Sequence, residues 1–405
     1  MRKPGISSLA VLALGCSLGA TPLLASAAET EKLKADIEAL QAQNKEILER
    51  LDATAEMLES TTPGGHDGGD PMAKYKRSTH HGSSGRTTVG GYGELHYTNL
   101  TGKGGASDLK EMDFHRAVLF VGHEFNDRIR FFTEWDLEHA SKIELEQAFL
   151  EFDISENTWM STGVLLLPFG IINETHEPPT FYGVERNPVE TYIIPSTWRE
   201  GGAAVGGRFG KGWGYDVFLT SGMALDPADR FAVRKGRQFG GEAIANDLAG
   251  SARLKWNGLA GLELSMSYLY QANGGQGAAN IGRTSLVSGH VSYASGGFQL
   301  RAVYAGWNID GAGPASVGAN KQTGWYIEPS YKFSPSFGIF GRYNIWDNQA
   351  GADTGSAADS KKTQYNIGAN YWPIPDVVVK LDLQYQDNAN GENRNGFLLG
   401  AGYQF

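Results

Sequence analysis

The sequence predicts an all-β fold, a 16-stranded antiparallel transmembrane β-barrel, preceded by an α-helical coiled coil. Three observations carry this. From residue 87 to residue 405, runs of about ten residues alternate apolar and polar side chains, and a period of two marks strands with two different faces. The connections between the runs are short and long in turn, apart from one near His139 that is short where a long one is due, the pattern of a barrel with turns at one rim and loops at the other. Ahead of the runs, residues 28–60 carry an apolar heptad seam.

Composition agrees. The chain has 405 residues, 54 of them glycine, and is 41% hydrophobic. Its mean hydropathy is −0.33, too low for a bundle of membrane helices, whereas a barrel shows lipid only alternate residues. The net charge of −10 argues against nucleic acid as a partner.

In chain order, residues 1–27 read as a signal peptide. Arg2 and Lys3 form a basic start, 6–24 are apolar or small, and Ala25-Ser26-Ala27 is a cleavage signature. A lipoprotein signal ending at Cys16 is the alternative. With cleavage after Ala27 the mature chain has no cysteine, since Cys16 is the only one, and hence no disulfide framework. No apolar run of roughly 18 residues follows, so no spanning helix is expected and any crossing is by strands.

Residues 28–60 place Ile37, Asn44, Leu51 and Leu58 at one core position and Leu33, Leu40, Ile47 and Thr54 at the other. A coiled-coil stalk is expected, with Asn44 fixing register at a cost in stability. A single amphipathic helix lying on a domain is the other reading. Residues 61–86 are Gly, Pro, Ser, His and Asp, a flexible linker. His66, Asp67, Asp70, His80 and His81 match no defined metal spacing, and neither a metal nor a cofactor is expected.

The barrel domain is 87–405. Its segments are 87–99, 113–125, 129–138, 142–153, 159–166, 201–209, 213–222, 248–256, 262–271, 284–295, 298–307, 324–333, 337–347, 362–372, 377–386 and 396–405. Alternation is clean in several of them. Leu262, Leu264, Met266, Tyr268 and Tyr270 oppose Glu263, Ser265, Ser267 and Gln271, and Val377, Val379, Leu381, Leu383 and Tyr385 oppose Lys380, Asp382 and Gln384. Tyr270, Tyr293, Trp325, Tyr371, Trp372, Tyr403 and Phe405 stand near strand ends, as interfacial aromatic girdles do. In 142–153 the apolar parity switches between Leu145 and Ala148, which requires either a bulge near Glu146 or an exit from the membrane there. An even strand count puts both termini at the short-turn rim.

A barrel of this size is wide enough for an aqueous lumen, and charges on the inward parity need water. Arg116, Arg130, Glu134, Asp136, Arg253, Lys255, Glu263, Arg301, Glu328, Lys332, Arg342, Lys380 and Asp382 are therefore assigned to the lumen wall. The long loop 167–200 is Pro-rich and partly apolar. It carries Glu174, Glu177, Glu185, Glu190 and Glu200 against His176, Arg186 and Arg199, and is expected to fold inward as a constriction. An outer cap or a subunit contact is the alternative. A second loop holds Arg230, Arg234, Lys235 and Arg237, a cluster suited to gathering anions. No nucleophile–base–acid set occurs at any recognisable motif, so an enzyme is not expected.

Phe114-His115-Arg116-Ala117-Val118-Leu119, Gln147-Ala148-Phe149-Leu150-Glu151-Phe152, Pro168-Phe169-Gly170, Glu185-Arg186-Asn187-Pro188 and Trp198-Arg199-Glu200-Gly201-Gly202 together resemble the phosphate-selective porin O/P family of Gram-negative outer membranes. The likeness covers 87–405. It implies a homotrimer of barrels in outer-membrane lipid and lipopolysaccharide, an inward third long loop, and passive passage of small polar solutes, anions such as phosphate among them. The resemblance points to Arg116, Arg130, Arg253, Lys255 and Arg301 on the wall and Arg186 in the loop as basic solute contacts. Glu174, Glu177, Glu185 and Arg199 are expected in the constriction. The competing expectation is a structural anchor whose periplasmic stalk reaches the cell wall.

Overall fold

The computed structural model describes residues 86–351 and 359–405. The expected signal peptide, coiled coil and linker up to residue 85 lie outside the described residues. The rest is one closed antiparallel barrel in which each strand pairs with its sequence neighbours and the last with the first.

The sixteen strands are β1 (Arg86–Lys103), β2 (Leu109–Asn126), β3 (Ile129–Glu138), β4 (Lys142–Ser155), β5 (Thr158–Leu166), β6 (Arg199–Phe209), β7 (Trp213–Thr220) and β8 (Ala249–Leu259), then β9 (Leu262–Gln271), β10 (Thr284–Ser295), β11 (Phe298–Ile309), β12 (Lys321–Ser334), β13 (Phe337–Asp347), β14 (Lys362–Ile374), β15 (Val377–Gln386) and β16 (Asn393–Gln404). Each expected segment is a strand. Several run further toward the long-loop rim than the alternation does, notably β1, β2 and β12. There polar residues such as Thr101, Lys103, Lys110, Glu111, Lys321 and Gln322 interrupt the alternation, so the ladder continues where the hydrophobic signal has faded.

Period-two patterning decides what faces out. Val217, Leu219, Met266, Leu383 and Ile367 are between 48% and 63% exposed on the outer surface, an apolar band no water-facing sheet would hold. Tyr270, Tyr293, Trp325, Tyr371, Tyr403 and Phe405 join it as expected. Trp372 does not. It is 4% exposed and points inward, its indole N–H donating to the carbonyl of Pro179 at 3.2 Å.

The parity switch in β4 is a bulge. Glu134 pairs with Gln147 and the next residue, Trp135, with Leu145, so Glu146 has no partner in β3. One extra residue lets two consecutive side chains turn the same way, and Glu146 and Gln147 are both buried inside. Leu145 and Leu150 stay outside on either side of it.

The barrel interior has its own core. Leu167, Phe169, Ile193, Ile194 and Trp198 of the β5–β6 loop pack with Met223, Phe231, Leu269, Trp307, Tyr326 and Trp346 in one buried cluster. This loop is therefore inside, wedged against the wall of β9–β13.

The seam between first and last strands is completed by Phe405, whose N–H donates to Gly91 O at 2.9 Å and whose carbonyl accepts from Gly91 N at 3.1 Å. Deleting Phe405 removes this final rung and the aromatic end. The expected outcome is a lower yield of heat-modifiable, membrane-inserted protein, with unchanged single-channel conductance in the molecules that do insert. Unchanged yield would refute the role.

An inserted loop bound to the lumen wall

The loop 167–198 leaves the rim after β5, crosses the lumen and returns to β6. Its ends are clamped by Asn173, whose amide N–H groups donate to Leu167 O (2.7 Å) and Trp198 O (3.1 Å), while its side-chain oxygen accepts from Trp198 N at 2.6 Å. The indoles of Trp198 and Trp307 lie 5.7 Å apart, and Trp307 donates to Ile193 O at 2.8 Å.

Glu190 holds the loop's interior together. It is fully buried. One carboxylate oxygen accepts from Ile171 N (2.5 Å) and Ile172 N (2.7 Å), the other from Asn187 Nδ2 (3.0 Å) and Tyr326 Oη (2.8 Å). A buried charge with this many donors is compensated. Gly170, at φ +73°, brings the backbone against it: a Cβ there would sit 2.2 Å from Glu190 Oε1, so only glycine fits.

The loop's middle is tied to the wall by the cations assigned there from parity. Arg116 donates to wall Glu94 at 2.6 Å and to the loop carbonyl of His176 at 2.5 Å. Arg253 pairs with wall Asp216 at 2.7 Å and with loop Glu174. Arg342 donates to wall Glu328 and to loop Tyr182 O, each at 2.5 Å. The same arrangement thus occurs three times: a wall carboxylate, an arginine, then a loop acceptor. The planar five-donor guanidinium makes this possible. Arg301 donates to Thr180 O (3.1 Å), and Lys380 to Gly183 O (2.9 Å) while lying 3.6 Å from the Phe181 ring centroid. Beside Lys380, on the paired strand, β16 is bare: Cβ atoms at Gly400 and Gly402 would meet Val184 at 3.2 Å and Pro178 at 2.3 Å.

The remaining expected site residues divide. Arg130 donates to Glu151 (2.6 Å) and Asp153 (2.5 and 2.9 Å) at the short-turn end of β3 and β4, away from the loop. Lys255 lies 3.7 Å from Glu263. Glu177 is buried, and its carbonyl accepts from Thr180 N at 2.9 Å. Arg199 and Glu200 are not in the loop at all. Both belong to β6, where Arg199 pairs with Glu144 of β4 and stacks over Phe239. In the second long loop, Arg234 donates to Thr191 O and Ser196 O at 2.8 Å, and Arg237 reaches Pro195, Ser196 and Thr197 carbonyls at 3.3 Å. These two arginines hold the inserted loop through its carbonyls.

Two adjacent loop charges are less enclosed than the rest, Glu185 exposed and Arg186 half-buried. Glu185, its side chain 48% exposed, accepts from His96 at 2.7 Å, and the His96 ring stacks on His115 at 4.7 Å. Arg186, half-buried beside it, has no hydrogen-bond or ion-pair partner among the described residues. Sequence reasoning placed Arg342 and Lys380 on the wall but missed their anchoring role, and missed Asn173, Tyr326 and His96 altogether. Glu190 it had placed in the loop without a role.

Residues 201–405 match the model of the Gram-negative porin family. An uncharacterized protein of Aquifex aeolicus (strain VF5) is 29% identical over 333 residues, 74% of this chain and 76% of that one. Among solved structures, an anion-selective porin from Comamonas acidovorans matches with a TM-score of 0.58 at 11% identity, over 80% of this chain and 100% of that one. The trimer form of OmpT, an outer membrane protein of Vibrio cholerae, matches at 0.53 and 12% identity, over 80% and 100%.

Replacing Glu190 by Ala leaves two loop N–H groups and the Tyr326 hydroxyl unsatisfied, at a cost of about 2–5 kcal/mol. The barrel is expected to persist while the loop becomes sensitive to limited proteolysis; equal resistance in the variant would refute the keystone role. A second outcome concerns pH. Partial desolvation pushes the Glu185 carboxyl up, but the His96 hydrogen bond and the His96 and His115 charges outweigh it and hold it down at about 2. A depressed carboxylate contributes stability above its unfolded value and loses it as pH falls through the folded one. The protease resistance of the wild-type loop should therefore exceed that of Glu185→Gln at neutral pH, and the gap should close only below about pH 4. A gap that vanishes at pH 6 contradicts this.

Proposed function

The chain belongs to the Gram-negative porin family and is an outer-membrane channel for small solutes, and from that premise we propose that it is a passive diffusion pore for small polar solutes whose charge preference is set at the inserted loop. One observation carries this reading. Arg116, Arg253 and Arg301 are engaged by loop acceptors, and Arg116 and Arg253 by wall carboxylates as well, whereas Arg186 stands without a partner at the loop's lumen edge. A cation already compensated within a low-dielectric wall attracts a passing ion far less than one facing water alone.

Arg186 is thus the residue at which an anion such as phosphate is stabilised on its way through, with Glu185 as the opposing charge beside it. The preference for anions is modest, because one such cation beside a carboxylate does not make a basic ladder. A homotrimer is the assembly that the O/P resemblance and the OmpT trimer support. Its outward apolar band meets outer-membrane lipid, and its long loops face lipopolysaccharide.

Planar-bilayer reversal potentials in a salt gradient test the assignment. Arg186→Gln should shift the reversal potential toward cations, by more than Arg130→Gln does, with little change in conductance. No conductance in the wild type overturns the channel, and a reversal potential unmoved by Arg186→Gln overturns the role of that residue.

A further inference from the structure

Where β3 and β4 face the inserted loop, three titratable side chains from three elements converge. Glu134 of β3, Glu146 of the β4 bulge and His176 of the loop are 1%, 0% and 1% exposed, and their donor atoms all lie within 4.8 Å of one another. Neither oxygen of Glu146 accepts a hydrogen bond, though His176 Nε2 stands 3.0 Å from Oε1. The other imidazole nitrogen, Nδ1, lies 3.1 Å from the Asn173 carbonyl. A carbonyl only accepts, so Nδ1 carries a proton, and Nε2, 2.9 Å from Tyr92 Oη and 3.0 Å from Glu146 Oε1, is the nitrogen turned toward the carboxylates. A divalent cation bound here takes the place of a proton between Nε2 and the buried carboxylates.

The surroundings are those of a ligand set. The Asn173 carbonyl fixes the tautomer of His176. Gln147 Nε2 donates to Glu134 at 2.6 Å, and Tyr92 Oη donates to its other oxygen at 2.9 Å. Such outer partners orient metal ligands. Tyr92 Oη is also 2.9 Å from His176 Nε2. The bulge is part of the same design. It turns Glu146 inward beside Gln147, where an unbroken strand would have faced it outward, and bulges of this kind re-aim side chains at sites.

The geometry points to a buried divalent-metal site formed by Glu134, Glu146 and His176, taking a first-row transition ion such as Zn2+. One imidazole with two carboxylates suits Zn2+ better than Mg2+ or Ca2+, which prefer all-oxygen shells. The ion neutralises carboxylates that burial makes costly. It also bolts the loop to two wall strands at His176, whose carbonyl Arg116 already holds, so the metal braces the constriction.

The full-length protein, folded in detergent, is incubated with Zn2+, freed of loosely bound ion and assayed for metal by mass spectrometry. About one ion per chain is expected for a single site. A Co2+-loaded sample should show visible ligand-field bands, and chelation should lower Tm by several degrees and expose the loop to protease. Glu146→Gln, nearly isosteric, should lose the ion and the chelator response, as should His176→Gln. Glu124→Gln, on an exposed pair with Arg86, should keep both. This contrast separates the site from ion held by His66, His80 and His81. Wild type with no retained ion and no Tm response overturns the site in favour of a metal-free imidazolium, whether or not the variants fold. Retained ion that neither variant removes overturns it as well.

Discussion

A chain segment pushed into a barrel leaves water with its backbone polar groups unpaired, and each must find a partner. That constraint organises this molecule. The inserted loop is too irregular to satisfy its own carbonyls, since its regular pieces are one three-residue turn at Pro178–Thr180 and one π-turn at Val189–Ile193. Donors must come from the wall, and they must be long enough to reach. Arginine and lysine meet both needs, and their charge strengthens each bond. The wall carboxylates follow from this. An arginine that gives one edge of its fork to a loop carbonyl still carries a buried charge, and Glu94, Asp216 and Glu328 compensate it.

The same logic explains what the sequence reveals and what it conceals. Strand number, order and facing direction follow from a two-residue period that lipid on one side and polar groups on the other impose, so Leu262–Gln271 and Val377–Gln386 are legible to the residue. The extra length of β1 and β12 is not, because beyond the lipid neither face must be apolar. The break in β4 is visible as a change of parity, yet its cause lies in the pairing with β3. In β16 the alternation of Gly400 and Gly402 with larger residues reads as a small face. Only the position of Val184 and Pro178 against it shows that it is a seat for the loop.

The candidate site was legible in part. Parity places Arg116, Arg253 and Arg301 on the inner wall, and the structure has them there. Parity is blind to whether an inward charge meets water or another segment. The five prolines and many apolar residues of 167–200 mark it as a loop with something to bury, and Trp198 and Ile193 do bury against Trp307. Its acids belong to three populations that composition cannot separate. Glu190 binds the loop to itself, Glu174 binds it to Arg253, and Glu185 stands half in the lumen.

Permeation inherits this division. A pore whose wall charges were all free would present a continuous field, and exchanging any one would change it slightly. Here most wall cations are held in fixed ion pairs, so on the proposed reading the field in the passage is set by the few groups left over at the loop's edge. Those groups ride on a segment held at both ends by Asn173, at its centre by Glu190 and around its perimeter by Arg116, Arg253, Arg342 and Lys380. Rigidity and selectivity are therefore one problem in this barrel. The residues that immobilise the loop are the ones that would otherwise have coated the pore with positive charge, and each bond that fixes the constriction also lowers the number of cations a solute can meet.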